Sequence, residues 1–351
     1  MKIISIVGAR PQFIKLAPLS NIIKTLYDEV IIHTGQHYDE KMSNIFFNEL
    51  KITKPHYNLN INQGNHGIQT GKMMIELESV ILKENPNLII IFGDTNSTLA
   101  GAIVGSKLNI PIIHIEAGLR SFNKKMPEEI NRIAADHLSD YLFAPTPTAI
   151  QNLTNENLSD KSFLTGDIMV ESLKYVSQKI VNTQILKTFN LENQNYNLLT
   201  LHRPYNVDNP QILTKIFKDL KNLSNKIIFP IHPRSRDQIK KNNITIPDNV
   251  LITNPLGYLD FVALQMQAQK IITDSGGIQK EAYILKKPCI TLRYETEWVE
   301  TVNSGWNILF NLEKNDNLVS VIENFKIPQT YKNIFGDNVL QNMISIINNL
   351  A

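Results

Sequence analysis

With 351 residues, 42% of them hydrophobic, the chain exceeds one ordinary core and predicts two domains. Its 35 basic and 33 acidic residues leave a net charge of +2, which excludes a broad basic field for nucleic acid, so any anion must be caught by local groups. A single cysteine excludes a disulfide framework and a Cys-type zinc site, and no apolar stretch reaches the roughly 18 residues of a membrane span.

The first residues, Met1-Lys2-Ile3-Ile4-Ser5-Ile6-Val7, run straight into a strand over 2–7 and lack the three regions of a signal peptide, so a cytoplasmic protein is expected. The run Val7-Gly8-Ala9-Arg10-Pro11-Gln12 then brings Arg10, a planar donor fork suited to phosphate, to that strand's end. An amphipathic segment follows over 13–26. Further apolar runs predict strands at 29–34, 88–92, 111–115 and 140–144, with a helical segment at 96–107. Continuous hydrophobic strands joined by crossover helices mean parallel sheets buried on both faces, and ligands of such sheets bind beyond the strands' carboxyl ends.

Several acids meet that positional test. Asp94 follows the run 88–93, Glu116 follows Ile112–Ile115, and Glu128 and Glu129 stand behind Pro127 at a helix start. Asp94 also reads as a cap for the next helix, and Glu128 as an i,i+4 partner of Arg132. Glu116 ends a buried strand with no turn or capping job that needs an acid.

The polar stretch 187–195 marks a boundary, with the hinge placed at 170–195 and a second doubly wound half beyond it. Its strands are expected at 196–201, 226–231, 249–252, 269–273 and 288–291, with helices at 208–222 and 275–285. His202 and Arg203 follow the first of them; an isolated histidine there also reads as structural. No histidine set has metal-ligand spacing, so no metal is expected. The run Asp274-Ser275-Gly276-Gly277-Ile278-Gln279-Lys280-Glu281 leaves a strand and opens a helix. Orphan N–H groups and the helix dipole there favour phosphate, although the same residues make an ordinary tight turn. Glu281, on the first turns of that helix, can reach a ribose. Cys289, inside an apolar strand, reads as core packing. Helical residues at 337–350 close the chain and are expected to pack back on the first half.

Five ordered motifs carry a resemblance. Gly8-Ala9-Arg10-Pro11, Gly93-Asp94-Thr95-Asn96-Ser97, His114-Ile115-Glu116-Ala117-Gly118-Leu119-Arg120, Pro127-Glu128-Glu129-Ile130-Asn131-Arg132 and Asp274-Ser275-Gly276-Gly277-Ile278-Gln279 resemble the non-hydrolysing UDP-N-acetylglucosamine 2-epimerases, in order and spacing from residue 2 to about 310. The resemblance implies an α/β fold of glycosyltransferase-B type, two Rossmann-like domains over 1–170 and 171–336 with a cleft between them, and a helix at 337–351 returning to the first. It implies catalytic roles for Asp94, Glu116, Glu128 and His202. It also implies nucleotide-sugar binding by Arg10, Lys15, Ser275, Gly276, Gly277, Arg293 and Glu297, ribose contact by Glu281 and uracil packing by Phe261. Cofactor and metal are expected to be absent, the substrate a UDP-sugar, and the enzyme a homodimer that contacts neither nucleic acid nor membrane. Elimination of UDP to 2-acetamidoglucal and re-addition with C2 protonated from the other face is the chemistry implied, for surface polysaccharide precursors. A hydrolysing epimerase, a glycosyltransferase of the same fold and a UDP-sugar sensor remain as alternatives.

Two departures stand out. Thr296-Glu297-Trp298-Val299-Glu300 and Thr165-Gly166-Asp167-Ile168-Met169 resemble the branch acting on UDP-2,3-diacetamido-2,3-dideoxyglucuronic acid rather than the common Thr-Glu-Arg-Pro-Glu and Thr-Gly-Asn-Thr. Gln36-His37-Tyr38-Asp39 puts an acid where allosterically activated members have a second Gln, and Thr70-Gly71-Lys72 lacks their Arg, so no activator site is expected.

Overall fold

A computed structural model describes residues 1–36, 49–50, 52–180, 183–192, 194–314 and 317–350. His37, Tyr38 and Asp39 lie outside the described residues. The chain divides into two compact units, Met1–Tyr175 with Ile334–Ala351, and Val176–Asn333. The first border falls within the helix Met169–Lys179.

The first unit is built on β1 (Lys2–Val7), β2 (Asp28–His33), β3 (Tyr57–Asn58), β4 (Leu88–Phe92), β5 (Ile112–Ile115), β6 (Tyr141–Ala144) and β7 (Ser162–Leu164). Among the described residues these form one sheet of seven strands in the order β3-β2-β1-β4-β5-β6-β7, paired in parallel throughout. Every residue of Leu88-Ile89-Ile90-Ile91-Phe92 is buried, as a strand covered on both faces requires. On one face the helix His66–Glu84 brings Met73, Leu77 and Ile81, each four residues apart, onto Ile4, Ile6, Ile89 and Ile91. That helix stops at Asn85, which turns left-handed at φ 48°. The final helix, Val339–Asn348, buries Val339, Met343 and Ile347 within this unit, and Tyr27 Oη donates to Asn348 Oδ1 at 2.5 Å.

The second unit holds β8 (Tyr196–Thr200), β9 (Lys226–Pro230), β10 (Val250–Thr253), β11 (Lys270–Thr273), β12 (Cys289–Thr291) and β13 (Asn307–Leu309). Their order is β10-β9-β8-β11-β12-β13, again parallel. The helix Pro210–Leu220 starts at Asn209, whose side chain accepts from the Gln211 and Ile212 amides. It packs Leu213, Ile216, Phe217 and Leu220 against Ile227, Phe229 and Ile272. Tyr196, Leu198, Ile271 and Cys289 fill the other face.

The sequence pattern leaves out β3, β7 and β13. Each is an edge strand of two or three residues, too short to register as an apolar run. The first helix begins at Arg10, not 13, with Pro11 supplying the fixed φ that suits a first helical turn.

Both sheets reverse their strand order once, between β1 and β4 and between β8 and β11. Those two points are where ligands enter parallel sheets, at the strands' carboxyl ends.

Candidate functional site

At the reversal of the first sheet, β1 runs through Gly8 and Ala9 into the helix Arg10–Leu26. Gln12, buried in that helix's first turn, accepts from the Gly8 and Ala9 amides at 2.7 and 3.0 Å and donates to Phe92 O at 2.7 Å. One amide side chain thus locks the first loop to the end of β4. Gly8 is required by close approach: a Cβ there would stand 2.1 Å from both Ser97 Oγ and Thr34 Oγ1. One turn further on, Lys15 projects to Glu116, Nζ to Oε1 2.6 Å, with both side chains under a tenth exposed.

Glu116 is the least ordinary residue of the unit. Its φ is +72°, in the left-handed region that an L-residue with a long side chain rarely enters. The Glu116 and Ala117 amides both donate to Phe143 O at 3.1 Å, so the next strand enforces the twist. Backbone strain of this kind, about 1–3 kcal/mol, clusters at functional sites.

Asp94 does not cap the helix that follows it; Thr95 does, accepting from the Thr98 amide. The Asp94 carboxylate instead pairs with Arg132, a guanidinium that is 3% exposed and that also reaches Glu129 at 2.8 Å. Asn131 donates to the Asp94 carbonyl at 3.0 Å. Helix Pro127–Leu138 therefore positions Asp94 from the side, and its first turn carries Glu128, half-buried. Glu129 is structural, since its carboxylate accepts from the Ser121 and Phe122 amides and holds the loop before the helix.

Behind these acids lies a buried charged chain. His114 contacts Gly93 O through Nε2 at 2.6 Å and Asp136 through Nδ1 at 2.7 Å. Asp136 also accepts from the Gly118 amide and pairs with Arg120, which clamps Glu156 with two nitrogens. Burial alone would push the Asp136 carboxyl up, but His114 and Arg120 hold it below the ordinary carboxylate value. The chain fixes the loops that present Asp94 and Glu116, because it grips the residue before one and the second residue after the other.

At the reversal of the second sheet, Thr200 and Thr273 stand in register on β8 and β11. Just beyond them, His202 Nδ1 lies 3.0 Å from Asp274 Oδ1. The helix Gly276–Ile284 opens next, and its N-cap residue Ser275 makes no side-chain hydrogen bond to it. A Cβ on Gly276 would stand 2.2 Å from Glu297 Oε1 and 3.6 Å from Arg293 Nη1, whereas one on Gly277 would meet nothing within 4 Å. Arg293 is 3% exposed and pairs with Glu297 at 3.0 Å. Burial alone would lower the guanidinium's pKa, yet Glu297 and Tyr205 raise it. Among the described residues its Nη1 has no hydrogen-bond partner. The start of this helix and a buried guanidinium with an unused donor lie side by side at Gly276, which is the chemistry of an anion site.

Glu281, 4% exposed, accepts from Tyr258 Oη at 3.0 Å and from Gln265 Nε2 at 2.7 Å, so its carboxylate is fixed from two sides. Phe261 is half-buried and shares a cluster with Ile278 of the same helix as Glu281. The first unit thus gathers Arg10, Lys15, Asp94, Glu116 and Glu128. The second holds His202, Phe261, Ser275, Gly276, Gly277, Glu281, Arg293 and Glu297. The sequence alone does not reveal Asp274 as the partner of His202, because only the strand order shows that the two residues follow adjacent strands.

Two residues of the departing motifs are buried. Trp298 is buried with the Lys280 ammonium 4.4 Å above its ring. Asp167 is buried and its Oδ1 accepts from the Met169 amide at 2.9 Å, a local capping contact. Burial pushes the Cys289 thiol up to about 12, which suits a core residue and not a nucleophile.

The sequence profile of the family described as UDP-N-acetylglucosamine 2-epimerase matches residues 23–347. A UDP-N-acetylglucosamine 2-epimerase homolog of Methanococcus maripaludis is 50% identical over 359 aligned residues, covering 100% of both chains. The UDP-2,3-diacetamido-2,3-dideoxy-D-glucuronate 2-epimerase of Pseudomonas aeruginosa is 47% identical over 317 residues, 88% of each chain. Among solved structures, the Methanocaldococcus jannaschii UDP-GlcNAc 2-epimerase in complex with UDP-GlcNAc and UDP is similar at a TM-score of 0.92, with 44% identity over all of both chains.

Proposed function

Because the chain belongs to the UDP-N-acetylglucosamine 2-epimerase family, a family of isomerases, we propose that it converts UDP-GlcNAc to UDP-ManNAc. The fold, two parallel α/β units of glycosyltransferase-B type, serves many chemistries, so the activity has to be read from the residues. The observation that carries it is Glu116, held left-handed at a strand's carboxyl end with Lys15 on its carboxylate.

The C2 hydrogen of an N-acetylhexosamine is not next to a carbonyl, so direct deprotonation is too costly. In the reaction we propose, a base takes the C2 proton while the C1–O bond breaks. The bond's electron pair leaves on UDP, and a C1=C2 double bond remains in 2-acetamidoglucal. The UDP oxygen then adds back to C1, and an acid protonates C2 on the other face. Asp94, Glu116 and Glu128 supply the base and acid, and their different surroundings allow them to divide those roles: Arg132 beside Asp94, Lys15 beside Glu116, a helix start under Glu128. The departing diphosphate is held by Arg10, His202, Ser275, the Gly276 and Gly277 amides and Arg293, whose unused Nη1 suits a phosphate oxygen. Glu297 steadies Arg293; Glu281 takes the ribose and Phe261 packs by the uracil. We place the enzyme in the cytoplasm as a homodimer making precursors of surface polysaccharide; among the described residues no helix is long and apolar enough to cross a membrane.

Incubation with UDP-GlcNAc in heavy water tests the reading. UDP-ManNAc bearing deuterium at C2 is expected; product that keeps its protium at full conversion overturns elimination and re-addition, and free ManNAc with UDP identifies a hydrolysing enzyme. A second substrate, UDP-2,3-diacetamido-2,3-dideoxyglucuronate, is favoured by the 47% identity to the Pseudomonas aeruginosa enzyme. The same incubation with that sugar decides between the two by comparing kcat/KM.

A further inference from the structure

His202 is held by a group that no binding role requires. Asp274, the residue after β11, is fully buried. Its Oδ1 faces His202 Nδ1 at 3.0 Å, and both of its oxygens lie 3.1 Å from the His202 amide. Oδ2 also accepts from the Arg203 amide at 3.0 Å and from Asn206 Nδ2 at 3.2 Å. Asn206 is anchored in turn to the Leu292 carbonyl at 3.0 Å. Burial alone would raise this carboxyl, but the His202 ring and these donors hold it below the ordinary value, so it is ionised across the neutral range.

A buried carboxylate that only accepts leaves its histidine partner one choice. The proton of the neutral ring must sit on Nδ1, facing Asp274, since otherwise two lone pairs would oppose each other at 3.0 Å. The second ring nitrogen, Nε2, is then the outward one on a side chain that is 37% exposed at the strand's carboxyl end. With the Nδ1 contact and backbone contacts to the same carboxylate, the ring is fixed in direction as well as tautomer. Of the neighbouring groups, His232 stands with its ring 6.0 Å from that of His202, and its Nδ1 accepts from the Arg234 amide.

We propose that Asp274 is a positioning residue for the epimerisation, holding His202 in the Nδ1–H tautomer with Nε2 aimed at the leaving diphosphate. It rests on the reading of His202 given above. When the C1–O bond breaks, negative charge grows on the diphosphate; a His202 ring that has first taken a proton from water on Nε2 donates that N–H as a hydrogen bond to a phosphate oxygen, and the Asp274 carboxylate balances the imidazolium charge. The division of labour is that of a carboxylate behind a catalytic histidine in hydrolases.

The tautomer is measured in the unaltered protein by long-range ¹H–¹⁵N correlation on histidine-labelled enzyme, with the His202 signals identified by their loss in His202→Gln. Neutral His202 protonated on Nδ1 is expected; protonation on Nε2 overturns the proposal without any need for a variant at 274. For Asp274→Asn, a folded protein is expected to lose about 10²-fold or more in kcat, with KM for the nucleotide sugar changed less than about threefold and the tautomer population redistributed. A kcat within threefold of wild type in a folded Asp274→Asn overturns the proposal. Failure of the underlying reading looks different: His202→Gln would then keep its turnover, whatever the tautomer in the wild type.

Discussion

Four side chains show how single residues are tuned by their surroundings. Glu116 combines backbone strain with an ion pair to Lys15. Glu116→Gln keeps the shape and hydrogen-bonding reach but not the acid–base function. Its turnover is expected to fall about 10²–10⁴-fold, with UDP binding close to wild type by calorimetry. His33, at the end of β2, stacks on Phe13 with ring centroids 4.9 Å apart, and burial lowers its pKa from 6.5 to about 4. The unfolded chain therefore takes up this proton first, so the stability that neutral His33 contributes above pH 6.5 is lost as pH falls toward 4. The loss amounts to about 3 kcal/mol if the whole shift is expressed. Urea unfolding of His33→Phe across that window is expected to show a flatter pH dependence than wild type; an unchanged slope would assign the loss to other groups. Asp136 and Asp274 act in a lower window. Their folded pKa values lie below 3.8, so their contribution is complete above that value and disappears only in stronger acid.

At the scale of an element, the helix Gly276–Ile284 carries two adjacent glycines with different reasons to exist. Gly276 is excluded from bearing a Cβ by Glu297 within its own unit, whereas Gly277 borders open space. Alanine at 277 would raise helix propensity by up to about 1 kcal/mol and crowd no protein atom. Gly277→Ala is therefore expected to melt at or above the wild-type temperature while binding UDP at least about tenfold more weakly, because the new methyl occupies the space of the anion. A variant that binds UDP as wild type does would remove this turn from the phosphate site. The neighbouring Trp298 shows the opposite case. The change from a family arginine alters charge in the sequence, yet the ring lies buried beneath Lys280, where an arginine would set two cations together. The substitution is accommodated by packing inside the second unit, which weakens it as a sign of a different sugar.

At the scale of the molecule, each unit repeats one plan: a parallel sheet whose order reverses once, with candidate site residues just past that reversal. Regulation depends on more than this plan. Gln36 accepts from the Ser97 amide and hydroxyl at 3.0 and 2.8 Å, so the first glutamine of the activator pattern already serves the helix Asn96–Lys107. In the sequence, Asp39 stands where the activator pattern described above has a second Gln, and the segment around Lys72 lacks its Arg. Hyperbolic kinetics are expected, and UDP-ManNAc should convert backwards with no added UDP-GlcNAc. A Hill coefficient clearly above one would show a second site coupled by other contacts.

The sequence by itself determined the parallel α/β class, the long strands, and the acids placed after them, because buried strands write continuous apolar runs and a strand's end fixes where its next residue must lie. It also carried the family, through five ordered motifs. Tertiary structure decided what periodicity does not encode. Three edge strands form by pairing with neighbours, not by their own composition. Arg132 serves Asp94 and Glu129 across a loop, and Glu116 is twisted left-handed by the Phe143 carbonyl of the adjacent strand. The pairing of Asp274 with His202, 72 residues apart, follows from strand order. These contacts depend on which strands lie side by side, and that is set by how crossover helices pack, not by any local run of residues.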